Sequence, residues 1–360
     1  MQIEILENGI NSAEILKSMP TTRFQGSKRK LINDIAPYLE ELEFTTCLDA
    51  FGGTGSITHL LSRMGKKAQF NDIMPSNQVM AKALYSSGDV KIDEDLIASL
   101  FKKKANKKYK TTIQDIYKGI YYLDSENEEI DMFCQNVMDI DDEILQSEAY
   151  YLLFQSLLSK RPYNLFHRAN LHMRTKEVTR SFGNKTTWDK PIIEHMLKFF
   201  KELKKCRVSE RKYKVKFSNK DAFKIKNNFD LIYIDTPYAK GKGTQESNYF
   251  NFYHFLDALI NYDEIPNMVS EEFKHKPVYS AKKLWYEQEN ISEAFEALFE
   301  HFEDSKLVIS YRDDGYPSPE TLIGMLEKRY SSVRLVDLAD YKYVLSTQKK
   351  NTKEILIIAE

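Results

Sequence analysis

The segment DAFGGTGSI at positions 49–57 indicates the fold of this chain of 360 residues. It places a glycine-rich turn at the end of an apolar run, 44–51, that has the pattern of a buried strand. Residues 56–64 follow with apolar side chains at helical spacing, and KAQFND at 67–72 resembles a second strand. Strand, turn, helix and strand in this order form a β-α-β unit, whose strands are usually parallel. We therefore expect an α/β fold with a mostly parallel, twisted sheet and helices on both faces.

The rest of the chain divides into a helical block and a second group of strands. Long helical stretches rich in Tyr, Lys and Leu run from about residue 75 to 211. Strand patterns then return at 212–221, 229–235 and 305–311. YKYVLST at 341–347 and EILIIAE at 354–360 flank a polar turn and predict an antiparallel pair. The pattern predicts one sheet domain, formed by residues 1–76 and 212–360, with a mostly helical domain inserted at 77–211.

Composition restricts the class of protein. Hydrophobic residues make up 42% and charged residues 29%, which is an ordinary globular balance. The three cysteines, Cys47, Cys134 and Cys206, lie far apart and match neither a disulfide framework nor a metal site. The N-terminus lacks the features of a signal peptide, and no apolar run is long enough to cross a membrane. We therefore expect a protein of a reducing compartment, the cytoplasm.

The charge is balanced overall but unevenly distributed. The formal net charge is −1, while basic residues concentrate at 102–110, 160–180 and 201–216. Acidic residues gather elsewhere, notably at 124–142. A DNA duplex could meet a basic face in spite of the neutral total. The alternative for each basic run is a solvated helix face.

The glycine turn predicts a cofactor site. Glycine lets the backbone adopt unusual angles and lets a ligand come close, and the helix that follows offers unpaired N–H groups. Gly53 and Gly55 supply a G-x-G pattern, but Thr58 occupies the third position of the dinucleotide fingerprint. On this motif alone, an NAD enzyme and a ligand-free turn both remain open.

Further groups at strand ends fit the same site. Asp72 follows the second predicted strand and can accept both hydroxyls of a ribose. Asp221 follows the third and can accept a hydrogen bond from an adenine amine, with Phe223 as a stacking surface. Upstream, Lys28 begins a helical run, where positive charge is unfavourable. A contact of Lys28 with a carboxylate or phosphate explains that placement.

The segment IYIDTPYAK at 232–240 predicts the reaction, because it suits methylation of an aromatic amine. The lone pair of such an amine is delocalised into its ring, and acceptors on both hydrogens free it. Asp235 and the backbone carbonyl of Thr236 supply two acceptors, and Pro237 stiffens the turn. Tyr238 can stack on a flipped-out base. The alternative is a strand that ends in an Asx-type turn with an incidental tyrosine.

These motifs together resemble the Dam-like DNA adenine methyltransferases of bacteria and phages, over nearly the whole chain. QGSK at 25–28 is similar to the family's AGGK-type motif, FGGTG at 51–55 to its F-x-G-x-G loop, and DTPY at 235–238 to its D-P-P-Y motif. Thr236 and Ser27 depart from the family pattern. The motifs also occur in the family's order, with the target-recognition region between the ribose-binding and catalytic strands.

The resemblance implies a Rossmann-like methyltransferase fold and S-adenosylmethionine as the methyl donor, with no metal. It assigns nine residues to the donor site: Phe24, Gly26, Lys28, Asp49, Phe51, Gly53, Gly55, Asp72 and Asp235. Asp221 and Phe223 are added to them because of their position after the third predicted strand. It assigns residues 77–211 to DNA recognition. Tyr249 and Tyr253, in an aromatic-rich helix after DTPY, are candidates for base contacts, with core packing as the alternative.

Two basic segments with interleaved aromatic and amide residues, 161–176 and 180–188, suit contact with a DNA groove. The candidate contact residues are Arg161, Asn164, His167, Arg168, Arg174, Asn184 and Lys185. His167 and His172 lack further ligands at metal-binding spacing.

The sequence therefore predicts a site-specific methyltransferase that acts on the 6-amino group of a flipped-out adenine in double-stranded DNA. Its expected setting is the bacterial nucleoid or a phage-infected cell, with a cognate restriction endonuclease as a possible partner. Two alternatives stay open: a methyltransferase for RNA or cytosine amines, and a catalytically silent DNA-binding module.

Overall fold

A computed structural model describes residues 12–21, 24, 27–176, 185–240, 244–245, 249–278, 288–340 and 353–360. Within these residues the strands are β1 (Thr46–Asp49), β2 (Lys67–Asn71), β3 (Lys216–Ser218), β4 (Leu231–Ile234), β5 (Ala239–Lys240), β6 (Thr244–Gln245), β7 (Lys306–Arg312), β8 (Val333–Asp340) and β9 (Lys353–Ala359).

The α-helices are α1 (Ser12–Lys17), α2 (Ile32–Glu40), α3 (Ser56–Arg63), α4 (Pro75–Tyr85), α5 (Glu94–Leu100), α6 (Thr112–Ile116), α7 (Asp124–Val137), α8 (Glu143–Ser159), α9 (His172–Thr175), α10 (Lys185–Asp189), α11 (Ile192–Cys206), α12 (Tyr249–Ile260), α13 (Ile265–Met268), α14 (Gln288–His301) and α15 (Pro319–Leu326). Short 3₁₀ helices cover Lys28–Leu31, Pro162–Asn164, Ala222–Lys224 and Tyr262–Glu264.

The main sheet has seven described strands in the order β3-β2-β1-β4-β7-β9-β8. The pairs from β3 to β7 are parallel, whereas β9 runs antiparallel between β7 and β8. The strand order reverses between β1 and β4, and ligands bind at such points beyond the carboxyl ends of the strands. This topology confirms the expected Rossmann-like fold with an antiparallel C-terminal strand.

The sheet is buried on both faces, because side chains of successive strand residues point to opposite sides. In β4, Leu231 and Tyr233 pack in one hydrophobic core with α2 and α3. Ile232 and Ile234 pack in another, with α14 and α15. The central strands are thus fixed by helices on either side, and their carboxyl ends form a rigid platform.

The helical block between β2 and β3 has a third hydrophobic core, centred on α8. Residues 147–159 of α8 are buried all round, as expected of a helix enclosed by others. This core also contains Tyr253, Phe255 and Leu256 of α12, which follows β4 in the sequence. The expected helical insertion after the second strand is therefore present, and α12 packs against it.

One strand prediction differs from the structure, and another falls on residues outside the described ranges. The third strand spans only Lys216–Ser218 rather than 212–221, because β3 is an edge strand that pairs with just the last residues of β2. The described antiparallel partner of β9 is Val333–Asp340. The segment YKYVLST at 341–347 lies outside the described residues.

Candidate active site

The glycine turn after β1 requires glycine for two different reasons. Gly53 and Gly55 have φ angles of +52° and +72°, in the left-handed region that other residues rarely adopt. At Gly55 a Cβ atom would also lie 2.3 Å from the ring of Tyr85. Below the turn, Asp49 accepts hydrogen bonds from the backbone N–H and hydroxyl of Thr58, at 3.0 and 2.7 Å. Asp49 therefore holds the first turn of α3 in place, and burial raises its pKa to about 7.

Asp72 joins this turn to the end of β2. Its Oδ2 accepts a hydrogen bond from the N–H of Gly53 at 2.8 Å, and its Oδ1 accepts one from the N–H of Met74 at 2.8 Å. Burial raises the pKa of Asp72, although these two bonds oppose the effect. The carboxylate thus lies beside the glycine turn, where its expected contact with a ribose remains a prediction.

Asp235 follows β4 and belongs to a buried group of charged and hydroxyl side chains. Its Oδ1 lies 3.0 Å from Nζ of Lys28 and accepts a hydrogen bond of 2.9 Å from the hydroxyl of Tyr238. Glu354 on β9 completes the group, because its Oε1 accepts hydrogen bonds of 2.5 Å from both Lys28 and Tyr238. Two carboxylates therefore share one ammonium group, and we call these four residues the transfer cluster.

The transfer cluster leaves one side of Asp235 available. Both of its described contacts are at Oδ1, and no described residue hydrogen-bonds Oδ2. The side chain is 18% exposed, so a substrate group can reach it. Burial raises the pKa of Asp235, Lys28 opposes this, and the negative charge of Glu354 adds to it.

Sequence reasoning missed Glu354, because EILIIAE was interpreted only as a strand. Glu354 has no exposed surface and begins the apolar, buried part of β9, whereas the charged residue before it, Lys353, is exposed. A lone carboxylate in such a strand needs a buried partner. That need was the available signal, but it does not identify Lys28.

The remaining candidates around the site have separate surroundings. Phe24 packs on Tyr253 with ring centroids 4.4 Å apart, and Tyr253 is only 1% exposed, so core packing is the role the structure gives Tyr253. Asp221 caps the short helix that follows it by accepting a hydrogen bond from the N–H of Phe223 at 3.2 Å. Gly26 lies outside the described residues.

Similarity to known proteins identifies the chemistry of this arrangement. Residues 24–308 match the family model of the D12 class N6 adenine-specific DNA methyltransferases. This range contains both the glycine turn and DTPY. The chain belongs to this family. A relative in Haemophilus parahaemolyticus, the Type II methyltransferase M2.HphI, is 23% identical over 350 residues, which are 95% of this chain and 98% of that protein. The reaction is therefore adenine-specific DNA methylation.

Two residues that we expected to contact DNA are buried in this D12 methyltransferase. Arg161 is 1% exposed, and its guanidinium donates to the carbonyls of Leu165, Tyr121 and Arg168 at 3.1, 3.3 and 2.9 Å. Its donors are taken by the loop that it organises. This burial argues against the predicted contact of Arg161 with DNA, which stays a prediction.

Arg174 is the second buried residue that we expected to contact DNA. It is 6% exposed and forms a two-bond ion pair with Glu126, at 2.8 and 2.7 Å. Lys160 also binds Glu126, at 2.9 Å, and both cations donate to the carbonyl of Trp188. We call Glu126, Lys160 and Arg174 the recognition cluster. Because Arg174 is buried in it, the structure also argues against the predicted DNA contact of Arg174, which stays a prediction.

The other DNA-contact candidates keep surface access. Arg168 and Lys185 are exposed, and Asn164 and His167 are half-buried. Burial, followed by the charges of Arg168 and Arg161, lowers the pKa of His167 to about 4. His167 is therefore neutral at neutral pH and offers hydrogen bonds rather than charge. Asn184 lies outside the described residues.

The basic run at 102–110 is compensated by acidic neighbours. Lys104 and Lys107 both bind Asp139 at 2.7 Å, and Lys110 binds Asp263 at 2.7 Å. This pairing supports a solvated surface rather than a DNA-binding face. Among the described residues of the methyltransferase, no group of His, Cys, Asp and Glu is arranged to hold a metal ion, and no helix could span a membrane.

Proposed function

We propose that this methyltransferase transfers the methyl group of S-adenosylmethionine to N6 of an adenine that is flipped out of double-stranded DNA. The observation that carries the proposal is Asp235. It lies after a central parallel strand, its Oδ1 is held by Lys28 and Tyr238, and its Oδ2 has no described partner. That arrangement suits an acceptor for an amine.

The residues around the glycine turn fit this donor. A Cβ atom at Gly53 would have only the Phe51 carbonyl nearby, at 4.0 Å, so the turn is open at that position. Asp72 is fixed beside it for a ribose, and α3 directs its N-terminus toward the turn. The donor also carries a positive sulfonium, and the transfer cluster provides two carboxylates against one ammonium. Phe24, Gly26, Lys28, Asp49, Phe51, Asp221 and Phe223 are proposed to complete the donor site.

When bound, the sulfonium supplies an activated methyl group, so the protein mainly has to position two reactants. Oδ2 of Asp235 accepts one hydrogen of the adenine amine, and the backbone carbonyl of Thr236 accepts the other. The lone pair of N6 is then available to form the new N–C bond while the S–C bond breaks. The methylated nitrogen would then release its extra proton to water, and S-adenosylhomocysteine would leave.

The DTPY turn is proposed to hold the base in this position. Thr236 is 2% exposed, so its backbone is fixed against the core although threonine replaces a proline of the family motif. Pro237 restricts the same turn. The ring of Tyr238 packs edge-on against Tyr311, with centroids 5.7 Å apart, and its hydroxyl is anchored at both ends of the transfer cluster. An anchored ring offers a rigid surface for stacking on the base.

DNA recognition is proposed for the helical domain at 77–211, with the catalytic domain formed by 1–76 and 212–360. Asn164, His167, Arg168, Asn184 and Lys185 are the proposed contacts. The relative M2.HphI is named a Type II methyltransferase, which supports a restriction endonuclease of the same site as the partner of this enzyme. Its place of action would then be the cytoplasm, where the DNA is.

The test is a methyl-transfer assay. Purified protein is incubated with tritiated S-adenosylmethionine and unmethylated genomic DNA, and the digested nucleosides are separated. Label in 6-methyladenine supports the proposal, and sequencing of the modified positions gives the recognition site. Label in a cytosine product would overturn the substrate. Absence of label, with S-adenosylmethionine shown to bind and NAD shown not to, would favour a silent DNA-binding module.

A further inference from the structure

Glu354 has a costly position that the sheet alone does not explain. It is fully buried near the start of β9, a strand that lies between β7 and β8. A carboxylate removed from water destabilises the fold unless charges and hydrogen bonds compensate for it. The compensation comes from Lys28 and Tyr238, both at 2.5 Å, and from the hydroxyl of Ser310 at 3.0 Å.

Two of these three partners also contact Asp235. The Nζ of Lys28 and the hydroxyl of Tyr238 each lie between the two carboxylates, within hydrogen-bond distance of both. Lys28 and Tyr238 are themselves in contact, at 2.5 Å. Glu354 therefore fixes the positions of both groups that hold Oδ1 of Asp235.

We propose that Glu354 is a positioning residue for methyl transfer, because it holds Lys28 and Tyr238 on one oxygen of Asp235 and so keeps the other oxygen directed at the adenine amine. This inference rests on the proposed function. Glu354 lies beyond the residues 24–308 that match the family model, and it does not need to touch either substrate.

Glu354 also determines how much positive charge Asp235 receives. With Glu354 present, one ammonium is divided between two carboxylates, and Asp235 remains a strong acceptor. Without it, Lys28 would pair with Asp235 alone. The charged and titratable groups that act on Asp235 are Lys28, Glu354, Tyr238, Asp49 and Tyr233. Among them, Glu354 raises the pKa of Asp235, so loss of its charge lowers that pKa.

The test compares Glu354→Gln with the wild-type enzyme. We expect kcat to fall about 10- to 100-fold, as for loss of a charge-assisted hydrogen bond, with the KM values for DNA and donor nearly unchanged. The acidic limb of the kcat profile moves to lower pH. Glu360→Gln is the matched control, because Glu360 pairs with Lys306 at the surface, at 2.7 Å, and should leave kcat unchanged. Wild-type kcat, or an unmoved acidic limb, in Glu354→Gln overturns the proposal.

The variant Glu354→Asp separates the effect of the negative charge from the effect of the side chain's length. It keeps the negative charge but shortens the side chain, so kcat should fall while the acidic limb stays at its wild-type pH. If both variants show the same pH profile, the charge of Glu354 does not act on Asp235 and the proposal fails.

A measurement without catalysis tests the contact itself. Unfolding in urea is compared for wild type, Lys28→Met, Glu354→Gln and the double variant. We expect the double variant to lose less stability than the two single losses added together, because the attraction between Lys28 and Glu354 is lost in each single variant but can be lost only once in the double variant. Additive losses would overturn the inference. Failure of the wild-type enzyme to methylate adenine would instead overturn the proposed function, whatever this cycle shows.

Discussion

The transfer cluster and the recognition cluster are both buried ionic groups, but their charges are opposite. In the transfer cluster, Asp235 and Glu354 share one cation, Lys28. In the recognition cluster, Glu126 alone binds two cations, Lys160 and Arg174. The first has an excess of negative charge beside a side chain that solvent can reach. The second is closed, and both of its cations also donate to the backbone carbonyl of Trp188.

The pKa values of the carboxyl groups reflect this difference. Burial raises the pKa of Asp235 beyond what Lys28 can offset. Burial acts in the same direction on Glu126, but Arg174 and Lys160 outweigh it and hold its pKa below the usual value. A carboxylate that remains under-compensated is suited to accept hydrogen bonds from a substrate. A carboxylate whose charge is fully compensated, such as that of Glu126, stabilises the fold instead. The predictions below test this difference between the two clusters.

The largest expected effect is at the centre of the transfer cluster. Asp235→Ala should reduce methyl transfer by about 10³-fold or more, since it removes a preorganised acceptor from the reacting amine. DNA binding, measured by fluorescence anisotropy, should remain close to wild type. Full residual turnover in this variant would contradict the assignment of DTPY as the catalytic motif.

In the recognition cluster the corresponding change should affect stability. Arg174→Met should lower the free energy of unfolding by about 3 kcal/mol, because it leaves the buried Glu126 with one cation fewer. Urea unfolding followed by circular dichroism measures this. Arg168→Met is the control, since an exposed position should change stability by less than about 0.5 kcal/mol. Equal effects in both variants would remove the distinction between buried and exposed arginines.

The pH dependence of stability should show the raised carboxyl pKa values near the glycine turn. Asp49 has a pKa of about 7 in the folded protein, above about 3.9 for an unfolded chain. Between these values the folded state binds the proton more tightly, so the contribution of Asp49 to stability is lost as pH rises toward 7.

Asp49→Asn removes this dependence. Relative to wild type, the variant should gain stability between pH 4.5 and 7.5, by on the order of 3 kcal/mol. Urea unfolding at both pH values measures the change. A difference between variant and wild type that is constant with pH would show that Asp49 is ionised throughout.

The smallest effect is expected at Arg168, whose side chain is exposed. Arg168→Ala should weaken DNA binding by about tenfold or less and reduce the slope of log K against log salt by about 1, as for loss of one phosphate contact. Stability should be unchanged. Anisotropy titrations at several salt concentrations measure the slope, and an unchanged slope would exclude Arg168 from the phosphate contacts.

The sequence predicted the parts of the molecule that depend on local order. The β-α-β unit, the glycine turn and Asp235 at the end of a buried strand follow from residues close together in the chain. The third strand was predicted too long, because alternation along 212–221 does not show where its partner β2 ends. The length of a strand depends on the strand with which it pairs, and its own sequence does not show where that partner ends.

The sequence could not predict contacts between residues that are far apart in the chain. Lys28 and Glu354 are separated by 326 positions, and no spacing rule connects them. Arg174 and Glu126 are 48 positions apart. Because buried and exposed arginines look alike in a basic segment, composition alone assigned Arg161 and Arg174 to DNA and placed them beside Arg168.

Strand β9 comes last among the described strands, yet it lies inside the sheet. Synthesis proceeds from the N-terminus, so β7 and β8 leave the ribosome before the strand that joins them. Until residues 353–360 emerge, β7 has an open edge and Lys28 lacks its second carboxylate. A nascent chain, or one ended by a premature stop codon, thus carries the glycine turn and DTPY without a complete transfer cluster. On the proposed role of Glu354, methyl transfer would therefore reach its full rate only after β9 has joined the sheet.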